Sequence, residues 1–168
     1  MLVSILANII RKKWPNLCGY GWGGGSNMGW LNVLGYRLII GTVAPGYPHH
    51  VTQRGNYQQT VFDEEDDFRQ YLKWLDEYSS KYALKIWEYC LMTNHVHFVC
   101  VPEQEDTLAR TFNTLHMRYS QYLNHKRKLK GHLWQGRFYS CTLDERHLYS
   151  AVRYVENKKL GTDTIFRG

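Results

Sequence analysis

No apolar run in the 168-residue chain approaches the roughly 20 residues needed to cross a bilayer, so no membrane span is expected. The apolar opening of residues 1–10 is followed, not preceded, by Arg11, Lys12 and Lys13, which argues against a cleaved signal peptide. The four cysteines, Cys18, Cys90, Cys100 and Cys141, are scattered without a Cys-x-x-Cys pair, and Cys90 and Cys100 lie in apolar runs where a small thiol packs well. Reduced thiols in a cytoplasmic protein are the expectation. There is no internal repeat. With 43% hydrophobic and 21% charged residues, the chain is neither disordered nor collagen-like, and its length fits one core.

What the chain does have is charge of opposite sign in successive stretches. Residues 61–106 carry eleven acidic side chains against four basic ones, whereas residues 107–160 carry eleven basic against three acidic. A basic half in a chain with 13 Tyr, 6 Trp and 6 Phe suits a polyanion whose bases stack on aromatic rings. A solvated basic face over a tyrosine-rich core would give the same composition.

Residues 1–35 read as a glycine-rich N-terminal extension of poorly defined structure, with Gly19, Gly21, Gly23, Gly24, Gly25 and Gly29 interleaved with Trp22 and Trp30. Residues 36–160 read as a single domain, and 161–168 as a short tail. Within the domain, His49–Arg54 alternates like a strand and stops at Gly55-Asn56. An acidic turn opens a helix at Asp63, and Phe68, Tyr71, Leu72, Leu75 and Tyr78 make its apolar stripe as far as about Tyr82. Leu84–Met92 and His95–Val101 are strands, and the two residues Thr93-Asn94 between them allow only a tight antiparallel hairpin. Leu108, Phe112, Leu115, Tyr119 and Tyr122 predict a second helix, Phe138–Leu143 a last strand, and Asp144 the N-cap of a third helix running to about Lys158. The order is that of a ferredoxin-like α+β fold: an antiparallel sheet with packed helices, plus an appended C-terminal helix.

The densest chemistry is at Asn94-His95-Val96-His97. Side chains two apart on a strand share a face, so both imidazoles can hold one divalent ion and leave positions open for phosphate oxygens and water. Two structural histidines on the less buried face of a sheet are as good an account of the pair taken alone. On the third helix Leu148, Ala151, Val152 and Val155 form the apolar stripe, with His147, Tyr154 and Lys158 on its flank; spacing by itself favours a packing role for Tyr154.

Val43-Ala44-Pro45-Gly46, Pro48-His49-His50-Val51-Thr52-Gln53-Arg54-Gly55-Asn56, Leu91-Met92-Thr93-Asn94-His95-Val96-His97, Gly131-His132-Leu133-Trp134-Gln135-Gly136-Arg137-Phe138 and Arg153-Tyr154-Val155-Glu156 occur in that order over residues 42–157. Together they resemble the single-tyrosine His-hydrophobic-His (HUH, IS200-like) transposases, and within them the REP-associated tyrosine transposase branch. The resemblance implies a metal-dependent DNA endonuclease and strand transferase, with Mg2+ or Mn2+ as cofactor, that cleaves and rejoins single-stranded DNA near a hairpin formed by a palindromic repeat. It implies His95 and His97 as the metal pair, Tyr154 as the nucleophile that forms a 5′-phosphotyrosine, and a monomer or homodimer as the working unit.

For DNA contact the resemblance and the charge pattern point to Arg118, Lys126, Arg127, Lys128, Lys130 and Arg137 toward phosphate, and to His132 and Trp134 toward bases, with Trp134 equally readable as a buried loop anchor. His50, Gln53 and Arg54 can contact a hairpin; His49 can do so or face solvent. The family pattern has an amide four residues after the tyrosine, where this chain has Lys158, an active-site neighbour of the wrong charge for an ion, with Asn157 one step off. That departure leaves a catalytically impaired nucleic-acid-binding module on the same fold as the alternative.

Overall fold

In the computed structural model the described residues are 43–144, 147–149 and 151–154, together with the backbone of 32–33 and 36–37. Most of the glycine-rich extension, residues 155–157, Lys158 and the tail lie outside them. A two-residue ribbon, β1 (Asn32–Val33) and β2 (Tyr36–Arg37), pairs antiparallel. The domain then runs β3 (His49–Arg54), α1 (Glu65–Lys81), β4 (Leu84–Met92), β5 (His95–Pro102), α2 (Thr107–Arg127) and β6 (Tyr139–Thr142), and residues 147–149 and 151–154 are helical. The sheet order is β4-β5-β3-β6 with every pairing antiparallel, the ferredoxin-like arrangement expected from the sequence.

The alternation of the strands divides the sheet into two working faces. Val51 on β3, with Val96, Phe98 and Cys100 on β5, points to the α1–α2 side and joins Phe68, Tyr71, Leu75, Phe112, Leu115 and Tyr119 in the main core. Tyr71 and Phe98 are fully buried, and burying such a ring is worth roughly 1.5–3 kcal/mol. The opposite face holds a smaller cluster: Cys90 and Val99 from the sheet against Leu143, Leu148 and Val152 from the C-terminal segment. Among the described residues Cys90 and Cys100 are buried and Cys141 half-buried, and none of the three is in a disulfide.

Local chemistry explains where the helices begin and end. At the start of α1 the Asp67 Oδ2 accepts the backbone N–H groups of Asp63 (3.0 Å) and Glu64 (3.1 Å), which would otherwise be orphan donors, and three acidic residues occupy the first turn. α2 closes with basic residues in its last turn and Lys128 in the left-handed conformation at φ 54°.

The charge asymmetry of the sequence resolves in the packing of α1 on α2. Arg118 pairs with Glu77 and reaches the Tyr78 hydroxyl, Lys126 pairs with Asp67 (2.7 Å) and Glu64 (3.2 Å), and Arg127 donates to both oxygens of Asp63 and to the Thr60 carbonyl. Asp67 is the centre of this seam. Burial by itself would raise its carboxyl, but the hydrogen bonds from Lys126, the Asp63 and Glu64 amides and Tyr122 outweigh it and hold the group below its ordinary value. Much of the acidic stretch thus serves to neutralise the basic one within the fold. No helix of the described residues is long and apolar enough to cross a membrane.

Candidate active site

Register places the functional side chains. Residues directly opposite in an antiparallel pair share a face, so Cys90, His97, Thr52 and Tyr139 form one row across the sheet, and Met92, His95 and Arg54 the next. His50 lies two residues from Thr52 on the same face, diagonal to His97. The result is a cluster of three imidazoles on the face away from α1 and α2. His95 and His97 meet edge to face with ring centroids 4.9 Å apart, and the His50 and His97 rings lie with centroids 5.3 Å apart and planes 5° apart.

The phenol comes from the other end of the sequence. Asp144 caps the C-terminal helical segment, its Oδ1 accepting the His147 N–H at 2.8 Å, and Leu148 and Val152 bury themselves on Cys90 and Val99. That docking brings Tyr154 over the imidazoles: its ring lies 5.4 Å from that of His97, at 75°, while 45% of the residue stays exposed. Three of the residues singled out in the sequence, His95, His97 and Tyr154, therefore meet on one face although 57 positions separate the last two.

Hydrogen bonds orient the imidazoles. The Asn94 amide donates from Nδ2 toward the Gln58 carbonyl (3.5 Å), which turns its Oδ1 to His95 Nδ1 at 2.6 Å. An amide oxygen only accepts, so His95 carries its proton on Nδ1 and its lone pair on Nε2. His97 Nδ1 is likewise hydrogen-bonded, to His50 Nε2 at 3.1 Å. Burial lowers the His50 pKa, favouring the neutral ring. Both members of the pair thus have a partner on Nδ1, the outer-shell pattern of metal-binding histidines that coordinate through Nε2, and the donor set fits a divalent ion. Among the described residues no group of three or more His, Cys, Asp or Glu could hold a metal, so any further ligands would be substrate oxygens, water or groups outside those residues.

The hairpin that presents this pair is clamped from one side. Gly55 donates to the Asn94 carbonyl (2.8 Å) and Val61 to that of Thr93 (2.6 Å). A Cβ at Gly55 would stand 2.4 Å from the Gln59 carbonyl oxygen and 2.9 Å from Val61 Cγ1, so only glycine permits this approach. The loop after α2 borders the same end of the sheet, with the Gln135 N–H on the Arg54 carbonyl and Gly55 bridged to Trp134.

The other sequence candidates divide by exposure. Arg54, Lys128, Lys130, His132 and Arg137 are exposed, and Lys128 to Arg137 surround the loop that abuts Arg54. Trp134 proves to be the buried anchor: its indole N–H donates to the His116 carbonyl and its ring packs on His116 and Tyr119, so it presents no face to a base. Gln53, at 3% exposure, points into the helix side and donates to the Gly136 carbonyl, so its side chain is buried rather than presented at the surface. His49 is fully buried, donating from Nδ1 to Tyr47 and accepting the Ala44 N–H on Nε2. Arg118, Lys126 and Arg127 are held by α1 carboxylates and are not uncommitted cations.

Two participants in this site are not evident from the sequence. Asn94 looks there like a turn residue, and His50 like a surface contact; strand alternation puts His50 on the face of His97, but only register shows that they touch.

The family model described as "Transposase IS200 like" matches residues 45–158. No curated protein matches the chain. Among solved structures, a REP-associated tyrosine transposase bound to a REP hairpin is similar in fold, at TM-score 0.53 and 17% identity over 75% of this chain and 73% of that one. A putative transposase from Deinococcus radiodurans R1 aligns over 68% of this chain and 95% of its own, at TM-score 0.49 and 18% identity.

Proposed function

This chain belongs to the IS200-like transposase family, and from that premise we propose that it cleaves and rejoins single-stranded DNA beside a hairpin through Tyr154. The observation that carries the proposal is the seating of the Tyr154 ring against His97, on the face that also presents His95. A nucleophile and a pair of metal-binding imidazoles must reach one phosphodiester, and the docking of Leu148 and Val152 on Cys90 and Val99 is what brings these side chains to one face.

A divalent ion such as Mg2+ or Mn2+, held by His95 and His97, would supply Lewis-acid polarisation of the scissile phosphate. The Tyr154 phenol loses its proton and its oxygen bonds to phosphorus as the bond to the 3′ oxygen breaks. This leaves a 5′-phosphotyrosine and a 3′ hydroxyl. Rejoining is the reverse displacement, in which a 3′ hydroxyl expels the tyrosine, so no nucleotide cofactor is consumed. Lys128, Lys130 and Arg137, exposed on the loop side, supply phosphate attraction, and Arg54 stands in the row of His95.

The test is covalent capture. With a labelled hairpin oligonucleotide and Mn2+, the chain is expected to give a denaturation-resistant adduct that Tyr154→Phe abolishes. Hairpin binding with no adduct would assign the chain to the impaired, binding-only alternative. Cleavage that persists in Tyr154→Phe would mean that water is the nucleophile.

A further inference from the structure

The metal reading requires His97 to be in one particular tautomer, and the residue placed to set it is His50. The two rings have planes 5° apart and share a single hydrogen bond, His50 Nε2 to His97 Nδ1 at 3.1 Å, in which one nitrogen carries the proton and the other the lone pair. If His50 donates, the neutral His97 ring has its own proton on Nε2 and cannot coordinate there. If His50 accepts, His97 keeps Nδ1–H and its Nε2 lone pair is left for an ion.

We infer that His50 is a positioning residue: its Nε2 accepts the Nδ1–H of His97 and holds that ring in the tautomer able to coordinate through Nε2. The inference rests on the reading of His95 and His97 as the metal pair, and it gives that pair matching support. Asn94 Oδ1 does for His95, at 2.6 Å, what His50 Nε2 does for His97.

The two supports differ in their anchorage. Asn94 belongs to the hairpin turn clamped by Gly55 and Val61, whereas His50 sits on β3, hydrogen-bonded on one side to β5 and on the other to β6. A partner on a strand flanked on both sides has little freedom to move when substrate binds, and a fixed outer shell is what keeps a ligand at its productive angle. Neither the spacing of the His-x-His pair nor the helix bearing the tyrosine calls for a histidine at position 50, so the contact is a separate demand on β3.

The experiment uses the full chain without DNA and measures Mn2+ uptake by the electron paramagnetic resonance of the free ion, with thermal melting as the check on folding. His50→Phe keeps a flat ring but has no acceptor, and is expected to bind Mn2+ about 10–100-fold more weakly than the wild type. His50→Gln retains an acceptor oxygen and is expected to recover most of that affinity. In parallel, nitrogen-15 imidazole NMR of the metal-free wild type is expected to show His97 as the Nδ1–H tautomer.

Mn2+ binding by His50→Phe equal to that of the wild type would overturn the inference, as would a His97 proton found on Nε2 in the wild type. A wild-type chain that takes up no Mn2+ would overturn the metal reading instead, and the His97 tautomer would then decide the His50 assignment by itself.

Discussion

The two faces of the four-stranded sheet use the same strands for opposite ends. On the α1–α2 side polar atoms are consumed within the fold: Tyr71 bonds His116, Tyr119 bonds the Val61 carbonyl, Trp134 bonds the His116 carbonyl and Asp67 gathers four donors, two amides before α1 and two side chains of α2. Gln53 Oε1 and Thr111 Oγ1 are buried atoms there with no hydrogen-bond partner among the described residues. On the other face imidazoles are brought to one another and to a half-exposed phenol, with only a small apolar cluster to dock the C-terminal segment. Period-two alternation makes this division possible. One short strand, β3, gives Val51 to the core and His50 to the site. Stability and chemistry can then be perturbed almost independently.

The largest effect should come from the packed face. Phe98→Ala opens a cavity among Tyr71 and Phe112 and is expected to cost about 3–5 kcal/mol in urea denaturation. Next, on the open face, His95→Ala should lower strand cleavage at least about 100-fold, equivalent to ~2.7 kcal/mol, with unfolding free energy within ~1 kcal/mol of wild type. A large stability loss in His95→Ala would erase the division.

Acid should act on the packed face too. Burial depresses His116 to about 3, so between that value and the ordinary 6.5 the unfolded chain binds a proton that the folded chain refuses. Its contribution is complete above pH 6.5 and is lost as pH falls toward 3, by up to ~1.4 kcal/mol per pH unit. His49 and His50, also lowered by burial, add to the same trend below pH 6.5. Denaturation across pH 4 to 7 should show this slope, and His116→Gln should flatten it.

The smallest effects concern the cations. Replacing Lys128, Lys130 or Arg137 by Ala should each reduce the salt dependence of hairpin binding by about 0.7 in log–log slope for every phosphate that the side chain neutralises. Lys126→Ala and Arg127→Ala should instead appear as stability losses of up to ~1 kcal/mol, because α1 carboxylates already hold those side chains. An equal fall in salt slope for both sets would show that the α1 pairing does not withdraw Lys126 and Arg127 from DNA.

Much of this arrangement is legible in the residues. Alternation gives the strands, the 3.6-residue period gives α1 and α2, and the two-residue link at Thr93-Asn94 gives the hairpin, because each is a local rule. The face shared by His95 and His97 follows from the same alternation. What composition does not show is cross-strand and helix-to-helix partnership. Lys126 and Asp67 are 59 positions apart, and a basic run looks the same whether it waits for phosphate or is already paired. Trp134 and Gln53 lie in polar-looking loop and strand text, yet tertiary packing buries them. His50 is visible as a residue of the right face but not as the neighbour of His97, since register is set by the whole sheet.

The most direct test of the central claim is to digest the covalent protein–DNA species with trypsin and locate the nucleotide by mass spectrometry. The account predicts a phosphodiester-linked nucleotide on the peptide of residues 154–158, whose single tyrosine is Tyr154. A nucleotide found on any other peptide would contradict it.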